Sequence, residues 1–319
     1  MRKYFALGAL ALLALPAIAC DQCGCGLLLG VQPKDHANNF GLQWRMRYLR
    51  GDLLVPGDAM PVLKHGGHDH DGDDNAAATY REAYNVLEAR GQVWLTDRAS
   101  LTASIPLLHN FQSVGGVRQA DVYGVGDPVL LARYAVLASL SGPDTTRLRH
   151  RLTVGMGLKV PLGRTNVVQD GEELDHDLQP GTGTWDLLLS LEYTLRGKSW
   201  GLALATLGRY NGEGADGFRM GHSASATAEL FRVVPHKRVT WVPSAGAYAE
   251  AALPDAQDGV SDPATGGKVL FSHLGLRVWW KNLGLACTWQ HALVNDQGAM
   301  MVPNRERFIA GITYSFDQD

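Results

Sequence analysis

Apolar and polar residues alternate one by one in a segment that begins near residue 40. Phe40, Leu42, Trp44, Met46 and Tyr48 are apolar, and the residues between them are glycine, glutamine or arginine. Successive side chains on a β-strand point to opposite faces, so the segment predicts a strand with one apolar and one polar face. Similar segments recur about twelve times, each roughly 9–13 residues long, the length that a tilted strand needs to cross a bilayer.

The connections between these segments also alternate. Those after the odd-numbered strands are long and polar, such as 109–119 and 163–183, and those after the even-numbered strands are short. Bacterial barrels have long external loops and short periplasmic turns. The sequence therefore predicts an all-β fold, a transmembrane antiparallel up-and-down β-barrel of about twelve strands, with both termini in the periplasm. A soluble β-sandwich would explain the alternation of side chains but not the alternation of loop lengths.

Tryptophans and the N-terminal leader agree with this interpretation. Trp200, Trp241 and Trp280 lie near predicted periplasmic turns, where barrels carry an aromatic girdle. The chain begins with two basic residues, an apolar stretch and a small-residue cleavage site, which together predict a signal peptide over 1–19. The expected organisation is then a periplasmic segment at 20–38 and an outer-membrane barrel at 39–319 with an external loop at 51–79.

Composition narrows the classes of protein further. The chain has 29 Lys and Arg against 32 Asp and Glu, and removing Arg2 and Lys3 with the leader changes the formal net charge from −3 to −5. This mild acidity argues against a nucleic-acid partner. Beyond the leader, no stretch of eighteen apolar residues predicts a transmembrane helix. The mean hydropathy of −0.10 suits a barrel, in which the two faces average out.

Three short glycine-rich motifs resemble a family of Gram-negative outer-membrane proteins described as meta-pathway phenol-degradation transporters. They are GVGD at 124–127, GLKVPLG at 157–163 and LQPGTGTWD at 178–186. The resemblance covers roughly residues 123–210. It implies a barrel in the outer membrane of a Gram-negative bacterium and the movement of a small molecule across it, without specifying the molecule.

Three cysteines open the predicted mature chain. Cys20, Cys23 and Cys25 lie within six positions and are candidate soft ligands for copper or zinc. Two alternatives stay open at this point. Two of the thiols can form a disulfide in the oxidising periplasm, or Cys20 can be lipidated, because residues 17–19 partly resemble a lipoprotein box.

A histidine- and aspartate-rich tract lies in the predicted external loop. His65, His68 and His70 are interleaved with four aspartates up to residue 74. Such tracts bind zinc, copper or nickel loosely, because a loop fixes no coordination geometry. The alternative is a solvated acidic loop without a ligand.

Charged residues recur on the polar faces of the predicted strands. On the lipid side each Arg or Lys near the midplane would cost about 2–4 kcal/mol, so these residues are expected to face the lumen, either pairing and filling it or forming a selective constriction. They are Arg45, Arg47, Glu82, Glu88, Arg90, Arg133, Lys159, Asp186, Glu192, Arg209, Glu229 and Arg277.

No enzyme activity is predicted. Some outer-membrane barrels of this strand number are phospholipases with a His and a Ser two positions apart on one strand. His222, His273 and His291 are each followed at that spacing by an apolar residue or glycine, and serine hydrolysis needs contact between the base and the nucleophile.

The sequence thus predicts a barrel in contact with outer-membrane lipid that passes a small solute, either a metal ion or a small organic compound. The alternative is a non-conducting metal-binding or receptor-like barrel that acts with a periplasmic partner.

Overall fold

A single antiparallel sheet closes on itself to form the molecule. The computed structural model describes residues 37–56, 75–138, 148–299 and 301–316. The twelve strands of the ring are β1 (Asn38–Pro56), β2 (Asn75–Trp94), β3 (Ala99–Val114), β4 (Val129–Ala138), β5 (Arg149–Lys159), β6 (Asp186–Arg196), β7 (Trp200–Tyr210), β8 (Ser223–Arg232), β9 (Val239–Ala252), β10 (Gly267–Trp280), β11 (Leu283–Gln297) and β12 (Asn304–Phe316). The predicted twelve-stranded barrel is confirmed.

Each strand pairs with the next along the chain, and β1 pairs with β12 to complete the ring. The register at this closure runs from Asn38 opposite Phe316 to Leu49 opposite Asn304, with an irregularity at Tyr48 and Leu49. Because the strand number is even, Asn38 and Phe316 lie at the same end of the barrel. We call this the terminus side and the opposite end the loop side.

Loop lengths differ between the two ends. On the terminus side, β10 and β11 are joined by the two-residue turn Lys281-Asn282, with Lys281 at a φ of 54°. On the loop side, 160–185 connects β5 to β6, and β1 and β2 extend to Pro56 and from Asn75, well into the region expected to be a loop at 51–79. The alternation is incomplete, because the last loop-side connection, 298–303, is shorter than 139–148 on the terminus side.

The segment expected to be a loop at 109–119 is instead a β-hairpin. Strand β3 continues to Val114, and the chain returns as an extra strand, Val117–Val125, that pairs with β3. Its turn uses Gly115 and Gly116, both with positive φ. The prediction failed here because the alternation of polar and apolar residues weakens where the hairpin leaves the membrane-spanning part of the strand.

The outer surface is apolar, as the alternation predicts. Phe40, Leu42 and Trp44 are exposed on β1, and Leu187, Leu189 and Leu191 are exposed on β6. Residues between them, such as Ser190, are buried towards the lumen. In a closed barrel the backbone of every strand is hydrogen-bonded to neighbouring strands, so no unpaired edge meets lipid. Together with the apolar outer side chains, this makes the outer surface suited to a lipid environment.

The predicted aromatic girdle is confirmed on the terminus side. Trp200, Trp241 and Trp280 are each about half exposed near the ends of their strands. The Arg232 guanidinium lies 5.4 Å from the centroid of the Trp200 ring, and the Lys281 ammonium lies 5.5 Å from that of Trp280. Such cation–aromatic pairs keep the charge at the edge of the apolar band. Among the described residues, no helix has the length and apolarity to cross a membrane.

Candidate functional site

The charged side chains of the polar faces lie inside the barrel, as predicted. Nine of the twelve are buried, and the side chains of Arg45, Glu192 and Arg277 are 17, 25 and 11% exposed. Carboxylates and cations are interleaved across strands; for example, Arg133 on β4 donates a 2.9 Å hydrogen bond to Glu192 on β6. Charges held in this way avoid most of the desolvation cost that an unpaired ion would incur.

Two cavities lie within the lumen. The terminus-side cavity, of about 150 Å³, is lined by residues of β1, β2 and β7–β12, from Asn39 and Thr313 up to Tyr248 and Arg307. The loop-side cavity, of about 90 Å³, is lined by residues of β1–β7 together with Asp127 and Pro180 from the connections.

A triad of charged side chains joins the linings of the two cavities. Arg90 lines the terminus-side cavity, whereas Arg45 and Glu88 line the loop-side cavity. Arg90 donates to Glu88 Oε1 at 2.9 Å, and Arg45 Nη2 lies 3.8 Å from Glu88 Oε2. We call Arg45, Glu88 and Arg90 the partition.

A second cluster lies where β5 and β6 reach the loop side. Lys159 Nζ is 2.7 Å from Asp186 Oδ2 and 3.2 Å from Asp127 Oδ2, and it also donates to the Thr182 hydroxyl. Asp127 accepts the backbone N–H groups of Gly163 and Thr182, each at 2.8 Å. These contacts fasten both ends of the connection 160–185 to the barrel wall, so we call Asp127, Lys159, Thr182 and Asp186 the latch.

The three glycine-rich motifs converge on this latch. Asp127 ends the first motif, Lys159 and Gly163 belong to the second, and Thr182 and Asp186 belong to the third. A Cβ atom on Gly163 would lie 2.7 Å from the Cα of Gly181, so the two segments approach more closely than any side chain permits. The motifs therefore encode the inward packing of a loop, which the spacing of the residues alone did not predict.

Apolar side chains close the loop side of the lumen. Leu178, on the fastened connection, is 4% exposed and packs in a cluster with Leu49 of β1, Tyr84 of β2, Val122 of the hairpin and Val302. The Leu178 carbonyl accepts a 2.9 Å hydrogen bond from the Asn110 side chain. We call this cluster the apolar plug. It covers the loop-side cavity, whereas the terminus-side cavity is bordered mainly by strand residues.

A further ion-pair network was missed in the sequence. Glu250 on β9 accepts hydrogen bonds from Arg47 at 2.5 Å, from Arg307 at 2.8 Å and from the Tyr248 hydroxyl. Arg307 also lies over the Tyr248 ring, 4.5 Å from its centroid. Glu250 and Arg307 occupy inward positions of their strands, so applying the alternation rule to β9 and β12 would have found both.

Two titratable groups outside the strands have shifted pKa values. Burial and the nearby Arg219 guanidinium lower the pKa of His222, whose Nδ1 accepts the Asn211 backbone N–H at 3.1 Å. Burial raises the pKa of Asp255, which accepts the Gly221 N–H at 2.6 Å. The two groups lie in neighbouring loop-side connections, and their pKa values are shifted in opposite directions.

The predicted metal ligands Cys20, Cys23, Cys25, His65, His68 and His70 lie outside the described residues. Within the part of the chain that the structure describes, no group of three or more His, Cys, Asp or Glu side chains is arranged to hold a metal ion. Cys287 is exposed on the outer face of β11, as its alternation with Leu285 and Trp289 predicts.

Comparisons with known proteins support the architecture. No protein-family model matches the chain, and no curated protein matches it. Among solved structures, the COG4313 outer membrane channel from Pseudomonas putida F1 aligns with a TM-score of 0.59 at 16% identity, covering 90% of this chain and 100% of the channel. The CymD monoaromatic hydrocarbon channel aligns with a TM-score of 0.38 at 10% identity, covering 95% of each chain.

The first of these similarities supports the fold; the second is too weak to add to it. A closed antiparallel barrel with an apolar exterior and a charged lumen is the architecture of an outer-membrane β-barrel protein. The outer membrane, with its lipid as the surrounding medium, is the location that this surface supports.

Proposed function

We propose that this protein is an outer-membrane channel that passes a small solute through its lumen. The observation that carries the proposal is the pair of cavities in the lumen whose linings are joined by the paired side chains of the partition, Arg45, Glu88 and Arg90. A solute could pass between the cavities after those side chains rotate, while the strands stay in place. The fold shared with an outer-membrane channel of Pseudomonas putida is consistent with this role.

The charges along the route restrict the solute. The terminus-side cavity is lined by Arg90, Arg277 and Arg307 against the single carboxylate Glu229. The loop-side cavity is lined by three cations, Arg45, Lys159 and Arg209, against Glu88 and Asp127. Pairing of Arg90 with Glu88, of Arg307 with Glu250 and of Lys159 with Asp186 reduces this excess of cations. The excess that remains attracts anions and repels cations in a narrow pore. We therefore favour a small organic compound, neutral or anionic, over a free metal ion as the solute of the lumen.

Conductance of the refolded full-length chain in planar bilayers tests the proposal. We expect small, discrete steps for the wild type and several-fold larger steps for the triple variant Arg45→Met, Glu88→Leu, Arg90→Met, which removes the partition. The matched control is Arg133→Met with Glu192→Leu, an ion pair outside the linings of the two cavities, and its conductance should match the wild type. If neither the wild type nor the triple variant conducts while both migrate as folded, heat-modifiable barrels, the proposal is wrong.

The apolar plug favours a second candidate, a barrel that does not conduct and instead binds metal together with a periplasmic partner. In this case Cys20, Cys23 and Cys25 would bind copper or zinc, and His65, His68 and His70 would hold metal on the other side of the membrane. Titration of Cu(I) into reduced mature protein tests the tail. The variant with Cys23→Ser and Cys25→Ser should bind fewer ions, and equal stoichiometry and affinity would remove the tail as a ligand set.

A further inference from the structure

A chain of polar side chains crosses the wall of the terminus-side cavity. Arg277 on β10 donates from Nη2 to both oxygens of Glu229 on β8, at 2.8 and 2.9 Å. His273 lies four residues before Arg277 on the same face of β10, and its Nε2 is 3.6 Å from Glu229 Oε1. Gln290 on β11 donates from Nε2 to His273 Nδ1 at 3.1 Å. All four side chains line the same cavity.

The two ends of this chain carry hydrogen-bonding atoms that are not used. Among the described residues, Arg277 Nη1 and Gln290 Oε1 are both buried without a hydrogen-bond partner. Gln290 is 2% exposed, and the Arg277 side chain is 11% exposed. Buried polar groups are nearly always paired, and leaving one unpaired is unfavourable, more so for a charged group. A donor with positive charge and a neutral acceptor are therefore held at one wall of a preformed cavity.

The rest of the lining mixes small or apolar side chains with polar and charged ones, including Arg90 and Arg307. Ala203, Ala205, Ala286 and Ile309 contribute to the cavity, and none of these side chains competes for a polar ligand. A cavity of about 150 Å³ has room for a six-membered ring, since an engineered apolar cavity of that volume binds benzene. The cavity thus combines arginine side chains with space for a compact organic group.

We propose that the terminus-side cavity is a binding site for a small organic monocarboxylate. The carboxylate accepts a hydrogen bond from Arg277 Nη1, whose Nη2 stays on Glu229, and the organic group lies against the alanines and Ile309. A ligand that also carries a hydroxyl or acid proton can donate it to Gln290 Oε1. This inference rests on the proposed function and extends it, because it names the class of solute that would bind in the lumen during passage.

Arginine explains why a carboxylate is favoured over a neutral solute of the same shape. A hydrogen bond to a charged group contributes more than one between neutral groups. Glu229 orients the guanidinium but uses only Nη2 in the contacts described above. Arg90 and Arg307 line the same cavity but already pair with Glu88 and Glu250, so we assign the discrimination by charge to Arg277 Nη1.

Calorimetric titration of the detergent-folded full-length barrel tests the site without requiring conduction. The probes are benzoate and benzamide, which match in size and differ in charge. We expect benzoate to bind about tenfold more tightly than benzamide, equivalent to about 1.4 kcal/mol. The double variant Arg277→Met, Glu229→Leu should lose this preference, and it removes both partners so that no charge is left buried alone. Gln290→Leu is the second variant and should retain the preference for benzoate.

The outcomes separate this inference from the proposed function. Equal affinity for the two probes, or an unchanged preference in the double variant, overturns the carboxylate site even if the wild type conducts in bilayers. Benzoate binding that depends on Arg277, in a barrel that never conducts, retains the site and rejects the channel. A double variant that does not fold is replaced by Arg277→Lys, which keeps the charge but cannot reach both Glu229 and the ligand as a guanidinium does, and which should reduce the preference.

Discussion

The lumen is narrowed at two levels by different kinds of structure. On the loop side, a connection between strands folds inward, is fastened by the latch and carries Leu178 into the apolar plug. Towards the terminus side, the inner boundary is the partition, made of strand side chains that pair with one another. Backbone and buried apolar contacts resist local change, whereas ion-paired side chains can exchange partners. The difference suggests that the partition opens readily and that the plug is the slower barrier.

The largest effect is expected from breaking the latch. Lys159→Met leaves Asp127 and Asp186 buried without the cation between them, and breaking a buried ion pair on one side costs about 3–5 kcal/mol. Urea unfolding of the lipid-refolded protein measures the loss. The matched control is Lys198→Met in the exposed turn after β6, which should change the free energy of unfolding by less than about 0.5 kcal/mol. Equal effects of the two substitutions would mean that the latch does not hold the loop.

A pair of truncations compares the two ends directly. Leu178→Ala removes a buried side chain from the plug and should cost about 2–5 kcal/mol while raising bilayer conductance. Ile309→Ala removes a side chain of similar size from the wall of the terminus-side cavity and should leave the conductance nearly unchanged, because Ile309 borders a cavity and does not belong to the apolar plug. A rise for Ile309→Ala alone would place the narrowest point on the terminus side.

The smallest effect is a pH response confined to the loop side. The pKa of His222 is lowered in the folded protein, so folding favours the neutral ring, and the stability of this contact is lost as pH falls below the ordinary value of 6.5. The pKa of Asp255 is raised in the folded protein, so folding favours its neutral form. Its contribution to stability therefore increases as the pH falls towards the ordinary pKa of 3.8, opposite to that of His222.

Hydrogen exchange of the segment 211–222 between pH 7 and pH 5.5, corrected for intrinsic rates, measures this response. Protection in the wild type should fall on acidification, and in His222→Gln it should vary less with pH. The terminus-side turns serve as the internal control and should not change. An identical pH response in the variant would assign the effect to another group.

The sequence predicted the strands and their faces because each depends on a local rule. Leu189 and Ser190 alternate, and lipid and lumen decide which side each faces. The apolar plug broke this rule. Leu49 follows Tyr48 directly and faces inward at an irregularity of the pairing with β12. The two consecutive apolar residues Tyr48 and Leu49 indicate an irregularity in the strand. They do not indicate that Leu49 packs against Leu178, which lies in a loop more than a hundred residues away.

The latch shows the same limit in polar residues. Asp127 follows two glycines and precedes a proline, and this local context indicates a turn rather than an ion pair. Its partners Lys159 and Thr182 come from two other motifs, and only the closed ring brings the three together. Resemblance to a family identified these motifs as a set. Their common position required the tertiary structure.

The closure between β1 and β12 has a consequence for biosynthesis. The strands that complete the ring are the first and the last to be made, since Asn38 pairs with Phe316. The ring therefore stays open, with unpaired edges on β1 and β11, until residues 304–316 arrive. A chain that ends a dozen residues early would expose the free edges of β1 and β11, which are templates for aggregation. The final strand thus acts as a checkpoint at which only a full-length product becomes a stable membrane protein.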